Sequence, residues 1–178
     1  MYIHYISYYD SLILQHLLLL WRNEPCVVIG RHQNPWTESN VPFLRENAIN
    51  LARRNSGGGT VYHDLGNLNC TFFTRRSRYN RTRNLNIICN AIREATALNV
   101  AVNSRDDIVL DEDLKISGTA AKLGKDAAYH HCTVLVDVNE CVLHDALSSK
   151  AVSIFLKQLK RLFYNRNFVK DLDFNITI

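Results

Sequence analysis

The sequence contains no C-x-x-C pair, and its five cysteines are odd in number and widely spaced. This pattern argues against a disulfide framework or a zinc site, and it favours a reducing compartment. Four of the five cysteines sit in apolar or strand-like stretches, where a free cysteine packs as a small hydrophobic residue. We therefore expect no cysteine to act as a nucleophile.

Charge of one sign is not in large excess. The net charge of +4 permits an anionic ligand or an acidic partner, but it falls short of the basic stripe typical of nucleic-acid binders. The densest basic stretch is RRSRYNRTR at Arg75–Arg83. We predict a solvated loop there, with contact to an acidic protein surface as the alternative. No nucleic-acid partner is expected.

Long apolar runs are absent from the sequence. The run Leu17–Trp21 is too short to span a bilayer, so we expect no membrane partner. The first twenty residues contain Asp10 and no lysine or arginine, unlike the start of a transit or signal peptide. We expect the protein to be a monomer.

The hydrophobic pattern predicts an α+β fold, because strand-like stretches follow one another with few helices between them. A chain of 178 residues suits one domain. Helical spacing is present in Pro42–Ala52, Leu85–Leu98 and Val152–Tyr164. The predicted strands are LLLLWRN, PCVVIG, TVYHD, NCTFFTR, DIVLD, LKISGTAAK and HCTVLVDV.

A glycine-rich loop lies in the stretch LARRNSGGGTVYHDLGNLN, where Gly57–Gly59 follow two arginines. Consecutive glycines allow a positive φ and let a ligand approach main-chain N–H groups. A Walker A loop is excluded because Thr60 follows the last glycine, and a dinucleotide fingerprint is excluded because Tyr62 stands where its third glycine would be. A loop that binds an anion and a tight turn between strands remain alternatives of similar weight.

The residues beside the loop favour an anionic ligand. At least one of Arg53 and Arg54 can direct a planar guanidinium at a carboxylate or phosphate. His63 and Asp64 are neighbours in a predicted strand and so point to opposite faces. We expect His63 to position a ligand and Asp64 to fix the next turn, with a shared catalytic role as the less favoured alternative.

A second stretch with candidate chemistry is DEDLKISGTAAK. Lys115 opens a strand just before the small residues Ser117–Thr119, where a ligand can approach the backbone. A lysine there could bridge a carboxylate and a phosphate, and the alternative is a surface lysine at a strand start. The adjacent His130 and His131 cannot easily chelate one metal, so structural or substrate-positioning roles are expected.

These stretches, together with WRNEPCVVIGRHQNPWTE and LKISGTAAKLGKDAAYHHCT, resemble the lipoate–protein ligase A and lipoyltransferase family, with its animal mitochondrial branch as the best match. The resemblance implies a biotin/lipoate-ligase-like catalytic domain over residues 18–150, with a mixed or antiparallel β-sheet flanked by helices. Residues 1–17 diverge from the family. Residues 151–178 form a divergent basic tail where the family continues into a C-terminal domain, so the catalytic domain is expected to be incomplete.

The resemblance also implies an activity. Ligases of this family use lipoate and ATP, with Mg²⁺, to make lipoyl-AMP, and then acylate a lysine. The resemblance favours a lipoyltransferase that moves a lipoyl or octanoyl group from lipoyl-AMP or a carrier onto apo lipoyl domains. These acceptors are the acyltransferase subunits of 2-oxoacid dehydrogenases and the glycine cleavage H protein, in mitochondria. The alternatives are a complete ATP-dependent ligase, a non-catalytic fragment that binds lipoyl-AMP or the acceptor and, less favoured, a biotin ligase.

The resemblance assigns roles to individual positions. Lys115 matches the family's active-site lysine, which contacts the acyl carbonyl and the phosphate. Asp107 matches an acidic residue near the phosphates, where Mg²⁺ is expected, while Asp106 stands where ligases often have asparagine. The other expected lipoyl-AMP or nucleotide contacts are Arg54, Ser56, Gly57, Gly58, Gly59, Thr60, Val61, Tyr62, His63, Lys122 and His131.

Overall fold

The computed structural model describes residues 2–8, 16–111 and 113–147. The helix predicted at Val152–Tyr164 lies outside these residues. Among the described residues, no helix is long and apolar enough to cross a membrane.

The described part of the chain forms eleven strands, four α-helices and one 3₁₀ turn at Arg76–Arg78. The strands are β1 (Tyr2–Tyr8), β2 (His16–Arg22), β3 (Cys26–Ile29), β4 (Asn50–Arg53), β5 (Val61–His63), β6 (Asn67–Arg75), β7 (Val100–Val102), β8 (Ile108–Leu110), β9 (Leu114–Lys115), β10 (Ser117–Leu123) and β11 (Ala127–Leu135). The helices are α1 (Pro35–Glu38), α2 (Val41–Glu46), α3 (Arg81–Thr96) and α4 (Glu140–Ala146). The predicted α+β fold is confirmed.

The largest element is an antiparallel five-stranded sheet in the order β1-β2-β6-β11-β10. Two smaller sheets accompany it. Strands β4, β3 and β5 form a mixed sheet in which β3 runs parallel to β4 and antiparallel to β5, and β7, β8 and β9 form an antiparallel sheet. The glycine loop therefore connects the two edge strands, β4 and β5, of the mixed sheet.

Helix α3 supplies an apolar layer of the core. The side chains of Leu85, Ile88 and Cys89 recur at helical spacing and are buried in one cluster with Phe72 of β6 and Val134 of β11. A side-chain cap begins this helix, and a left-handed residue ends it. The helix thus covers one face of the large sheet and leaves the other face for the site.

The cysteines behave largely as the sequence predicted. All five are free, and Cys70, Cys89 and Cys132 are buried. Burial raises the pKa of Cys70 to about 12 and that of the half-buried Cys26 to about 11. These thiols are therefore protonated and unreactive near neutral pH.

The helix predicted over Pro42–Ala52 is wrong beyond Glu46. Ala48 has a left-handed φ of 53°, which stops the helix, and residues 50–53 pair with β3 instead. The predicted strand LKISGTAAK is divided at Ile116, whose N–H donates to Ile108 O. Arg75–Arg83 is not simply a loop, because it holds the 3₁₀ turn and the first turn of α3.

Candidate active site

A cavity of about 670 Å³ lies among β2, β5, β11, the glycine loop and α4. Nine of the thirteen positions singled out from the sequence line it: Arg54, Gly59, Thr60, Val61, Tyr62, His63, Asp107, Lys115 and His131. The other four lie outside its wall. Of these, Ser56 is buried, while Gly57, Gly58 and Lys122 are exposed. The structure thus brings together residues from two distant parts of the sequence.

Several cavity residues were not found from the sequence. Arg81 was assigned to a solvated loop, and Arg105 and Glu38 carried no motif. Trp21 and Thr133 looked like ordinary strand residues. Four lining side chains are cationic and two are carboxylates, namely Arg54, Arg81, Arg105 and Lys115 against Glu38 and Asp107. This excess of positive charge suits an anionic ligand.

The charged centre of the cavity is an ion pair. Lys115 Nζ lies 2.8 Å from Asp107 Oδ1, and the two side chains are only 27% and 13% exposed. A tight turn presents the carboxylate, because Asn103 Oδ1 accepts from the backbone N–H groups of Arg105 and Asp107. At this burial the pair is screened less than a surface salt bridge, so the lysine is held in a defined position.

The two arginines before the loop contact the backbone. Arg54 donates to the carbonyls of Val28, Gly57 and Gly59, and Arg53 Nη1 donates to three carbonyls of residues 30–33. The bonds made by Arg54 occupy four of its five N–H donors. Burial lowers the pKa of this guanidinium. Arg54 therefore shapes the loop and keeps one N–H for any other acceptor.

The glycines of the loop have different roles. Gly58 has a φ of 91°, which strongly favours glycine, and a Cβ on Gly30 would lie 2.1 Å from Gly58 O. By contrast, a Cβ on Gly59 or Gly118 would meet nothing within 4 Å, although both residues line the cavity. The open space beside these two glycines exposes backbone to a ligand. It favours the anion-binding loop over a simple turn.

His63 lies on a polar chain beneath the cavity. Its Nδ1 is 3.1 Å from Asn23 Nδ2, and its Nε2 is 3.2 Å from Thr133 Oγ1. Thr133 in turn donates to Asn69 Oδ1 at 2.7 Å. Burial, followed by the charge of Arg54, lowers the pKa of His63 to about 4, so the ring is neutral at pH 7.

His131 lies on a second polar chain. Its Nδ1 is 2.9 Å from Thr71 Oγ1, which also accepts from Trp21 Nε1–H at 3.0 Å. Burial, followed by the charge of Arg54, lowers the pKa of His131 to about 4. The adjacent His130 points to the other face of the sheet, where it stacks on Phe72. The two neighbouring histidines therefore cannot share one ligand.

Asp64 fixes the next turn, as the sequence predicted. Its Oδ1 accepts from Gly66 N–H and its Oδ2 from Asn139 N–H, both at 2.8 Å. A Cβ on Gly66 would lie 1.9 Å from Asp137 O, so the chain passes closest to itself here. Asp64 and Gly66 anchor α4, which closes one end of the cavity through Leu143 and Leu147.

Within residues 16–111 and 113–147, no group of three or more histidine, cysteine, aspartate or glutamate side chains is arranged to hold a metal ion. Asp107 offers a carboxylate beside Lys115. Mg²⁺ commonly binds through one or two carboxylates plus substrate phosphates, so Asp107 fits a metal that arrives with a nucleotide. It does not fit a metal held by protein ligands alone.

The α+β fold and the site together define a protein with a cationic cavity, which is lined by exposed loop backbone and by an ion-paired lysine. Comparison with known proteins specifies the class further. The chain belongs to the lipoyl protein ligase A/B catalytic domain family, whose model matches residues 8–167.

Curated relatives support this assignment. The mitochondrial lipoyl amidotransferases LIPT1 of Mus musculus and Homo sapiens are each 52% identical over 134 residues, which is 75% of this chain and 36% of theirs. A putative lipoate-protein ligase A of Schizosaccharomyces pombe is 41% identical over 84% of this chain and 41% of its own length. The chain thus spans well under half the length of these relatives.

Solved structures share the fold. LipL1 of P. falciparum, in complex with lipoate, matches with a TM-score of 0.69 and 30% identity over 93% of this chain and 53% of its own. A bi-partite lipoate protein ligase of Thermoplasma acidophilum matches with a TM-score of 0.68 and 26% identity, covering 82% and 60%. A lipoate-protein ligase A bound with ATP has a TM-score of 0.62 at 28% identity, covering 78% and 62%.

Proposed function

We propose that this chain binds lipoyl-AMP, or the octanoyl equivalent, and transfers the acyl group to a lysine of a lipoyl-domain protein. The observation that carries the proposal is the cavity of about 670 Å³, whose lining includes both the Lys115–Asp107 ion pair and the open backbone of Gly59. An acyl-adenylate has one negative phosphate beside a reactive carbonyl, which suits a cavity with more cations than carboxylates and with open glycine backbone in its lining.

The transfer step needs no redox partner. The unprotonated amine of the acceptor lysine attacks the acyl carbonyl carbon, and a new C–N bond forms. The bond from that carbon to the phosphate oxygen breaks, AMP leaves with the electron pair, and the amine nitrogen loses its proton to solvent water. Lys115 Nζ stabilises the negative charge that grows on the carbonyl oxygen and on the departing phosphate.

Formation of the adenylate from lipoate and ATP is an alternative reaction that we propose for the same cavity. In that reaction Asp107 would hold Mg²⁺ together with phosphate oxygens, and it would leave its ion pair with Lys115 to do so. Arg81 and Arg105 line the same cavity and would add positive charge for a triphosphate.

The relatives support the partners and the location that we propose. The relatives named LIPT1 are mitochondrial, and one matched structure describes a ligase together with its E2 lipoyl domain. Accordingly, the acceptors we propose are apo lipoyl domains of 2-oxoacid dehydrogenase acyltransferase subunits and the glycine cleavage H protein, and the location is the mitochondrion. We propose a monomer as the working unit.

The test is an acyl-transfer assay on the purified chain. Synthetic lipoyl-AMP and an apo lipoyl domain are incubated with the protein, and the acceptor is weighed by intact mass spectrometry. The proposal predicts a gain of one lipoyl group that is lost with Lys115→Ala. Lys125→Ala is the matched control, because this exposed lysine lies in the turn between β10 and β11, outside the cavity wall, and it should leave transfer unchanged.

Two further arms separate the alternatives. Lipoate, ATP and Mg²⁺ replace lipoyl-AMP in one arm, and a lipoyl gain there assigns complete ligation. Calorimetric titration with lipoyl-AMP is the other, and binding without any transfer assigns the non-catalytic fragment. A folded protein that shows neither binding nor transfer would refute the proposal.

A further inference from the structure

His63 and His131 both line the cavity, and the groups around each ring decide which of its nitrogens carries the proton. Both rings are neutral near pH 7 because burial lowers their pKa to about 4. A neutral imidazole has one donor nitrogen and one acceptor nitrogen, and the neighbours of each decide the arrangement. Tracing the donors therefore shows what each histidine can offer a ligand.

His63 is fully occupied by the protein. Thr133 donates its hydroxyl proton to Asn69 Oδ1, so its oxygen accepts from His63 Nε2–H. The other nitrogen, Nδ1, then accepts from Asn23 Nδ2. With both ring nitrogens bonded, His63 has no hydrogen bond left for a ligand. These two bonds hold β5 against the large sheet, while the expected role of His63 in positioning a ligand stays a prediction.

His131 differs in one respect. The indole of Trp21 can only donate, so Thr71 Oγ1 accepts from it. Thr71 itself is only 1% exposed. If His131 Nδ1 also donated to this oxygen, the hydroxyl proton of Thr71 would be buried without an acceptor, which is costly. The low-energy arrangement has Thr71 donating to Nδ1, which leaves the proton of His131 on Nε2.

We infer that Thr71 is a positioning residue, which holds His131 as the Nε2–H form so that the ring presents a hydrogen-bond donor to an acyl oxygen of the ligand in the cavity. In the part of the chain that the structure describes, no protein group bonds to Nε2 of His131, and the residue lines the cavity. Because backbone carbonyls take four of the five N–H donors of Arg54, the Nε2–H of His131 would be a further donor for a ligand in this cavity.

The chemistry of the recognised group follows. A neutral N–H donor binds a carbonyl or ester oxygen without neutralising charge, whereas Lys115 serves the phosphate and the developing oxyanion. Tyr129 packs on His131 with ring centroids 4.7 Å apart, which limits rotation of the imidazole. This inference rests on the proposed function for the identity of the ligand, although the state of the ring can be measured without any ligand.

The first experiment is nitrogen-15 NMR of the histidine side chains in the full chain, without ligand, at pH 7.5. The expected spectrum has His131 Nδ1 pyridine-like, far downfield, and Nε2 pyrrole-like and protonated. Thr71→Val removes the hydroxyl at nearly constant shape, and it should move the two nitrogen shifts of His131 toward each other as both tautomers become populated. Thr71→Ser restores the hydroxyl and should restore the wild-type shifts.

Thr133→Val is the matched control, since it removes the facing hydroxyl on the same side of the sheet. It should change the ring shifts of His63 and leave those of His131 in place. A wild-type His131 protonated on Nδ1, or shifts of His131 that ignore Thr71→Val, would overturn the inference. These measurements do not depend on the proposed function.

A second measurement covers the case in which Thr71→Val does not fold. Affinity for a non-hydrolysable lipoyl sulfamoyl adenosine is compared between His131→Gln and His131→Asn, because the glutamine amide can reach the Nε2 position and the asparagine amide can reach only Nδ1. Glutamine should stay within about threefold of wild type, and asparagine should lose about tenfold, the value of one hydrogen bond. Equal losses would contradict the inference, whereas no binding by wild type would instead refute the proposed function.

Discussion

Acid should unfold this protein through its buried histidines. His63 and His130 are 4% and 0% exposed, and burial lowers the pKa of each from 6.5 to about 4, while the half-buried His131 shifts in the same direction to about 4. Below pH 6.5 the histidines bind protons in the unfolded chain, whereas in the native state they stay unprotonated until the pH approaches 4. The contribution of these histidines to the free energy of unfolding is therefore fully present above pH 6.5, and it is lost as the pH falls toward 4.

The magnitude follows from these values. At about 1.4 kcal/mol per pKa unit, each fully buried histidine contributes about 3 kcal/mol, lost between pH 6.5 and 4. Between pH 6 and pH 5 the two buried rings and the partly exposed His131 together should remove about 3 kcal/mol. With a urea m-value of about 2 kcal/mol per M, the unfolding midpoint should fall by about 1.5 M over that interval.

The assay is urea unfolding followed by circular dichroism at pH 7.5, 6.0 and 5.0. His130→Phe keeps a ring against Phe72 and Tyr79 but cannot take up a proton, so the change between pH 6 and pH 5 should shrink by about a third. Equal midpoints at pH 6.0 and 5.0 in the wild type would refute the reasoning.

Two further substitutions test the loop and the core. Gly58→Ala forces an alanine to a φ of 91° and places its Cβ 3.1 Å from Arg54 Nη2. This substitution should cost about 1–2 kcal/mol of stability and weaken binding of lipoyl-AMP. Gly57→Ala, with open space around its Cβ, should be nearly neutral. Leu85→Ala empties a fully buried position and should cost about 2–5 kcal/mol in urea unfolding, while Ile87→Ala, at a side chain that is 45% exposed, should cost under about 1 kcal/mol. Similar results within either pair would contradict the assignment of strain or burial.

Local periodicity predicted the elements whose burial it directly reflects. The helix that contains Leu85, Ile88 and Cys89 was expected because those residues fall on one face, and the structure buries that face against the large sheet. Strands β5 and β6 were expected from apolar, β-branched and aromatic residues, and both are present. In these cases the sequence pattern and the packing contact are the same physical fact.

Elements that depend on a distant partner were missed. Leu51 and Ala52 looked like the end of an apolar helical face, but they lie in β4, which is exposed along its length and pairs in parallel with β3. What separates helix from strand there is the left-handed φ of Ala48 and the pairing of this segment with one edge of β3. Neither is visible in the hydrophobic pattern of the segment.

The site divides in the same way. The sequence singled out Gly58 as one of three consecutive glycines and Lys115 as a lysine before small residues, with a tight turn and a surface lysine as the structural alternatives. It did not single out Thr71, because its partners Trp21 and His131 are 50 and 60 residues away. A local signal existed nonetheless in β6, where the alternating positions Asn69 and Thr71 are polar and yet 2% and 1% exposed. A strand buried on both faces with polar residues on one of them places hydrogen-bonding groups in the interior, so such a face should be searched for the polar floor of a cavity.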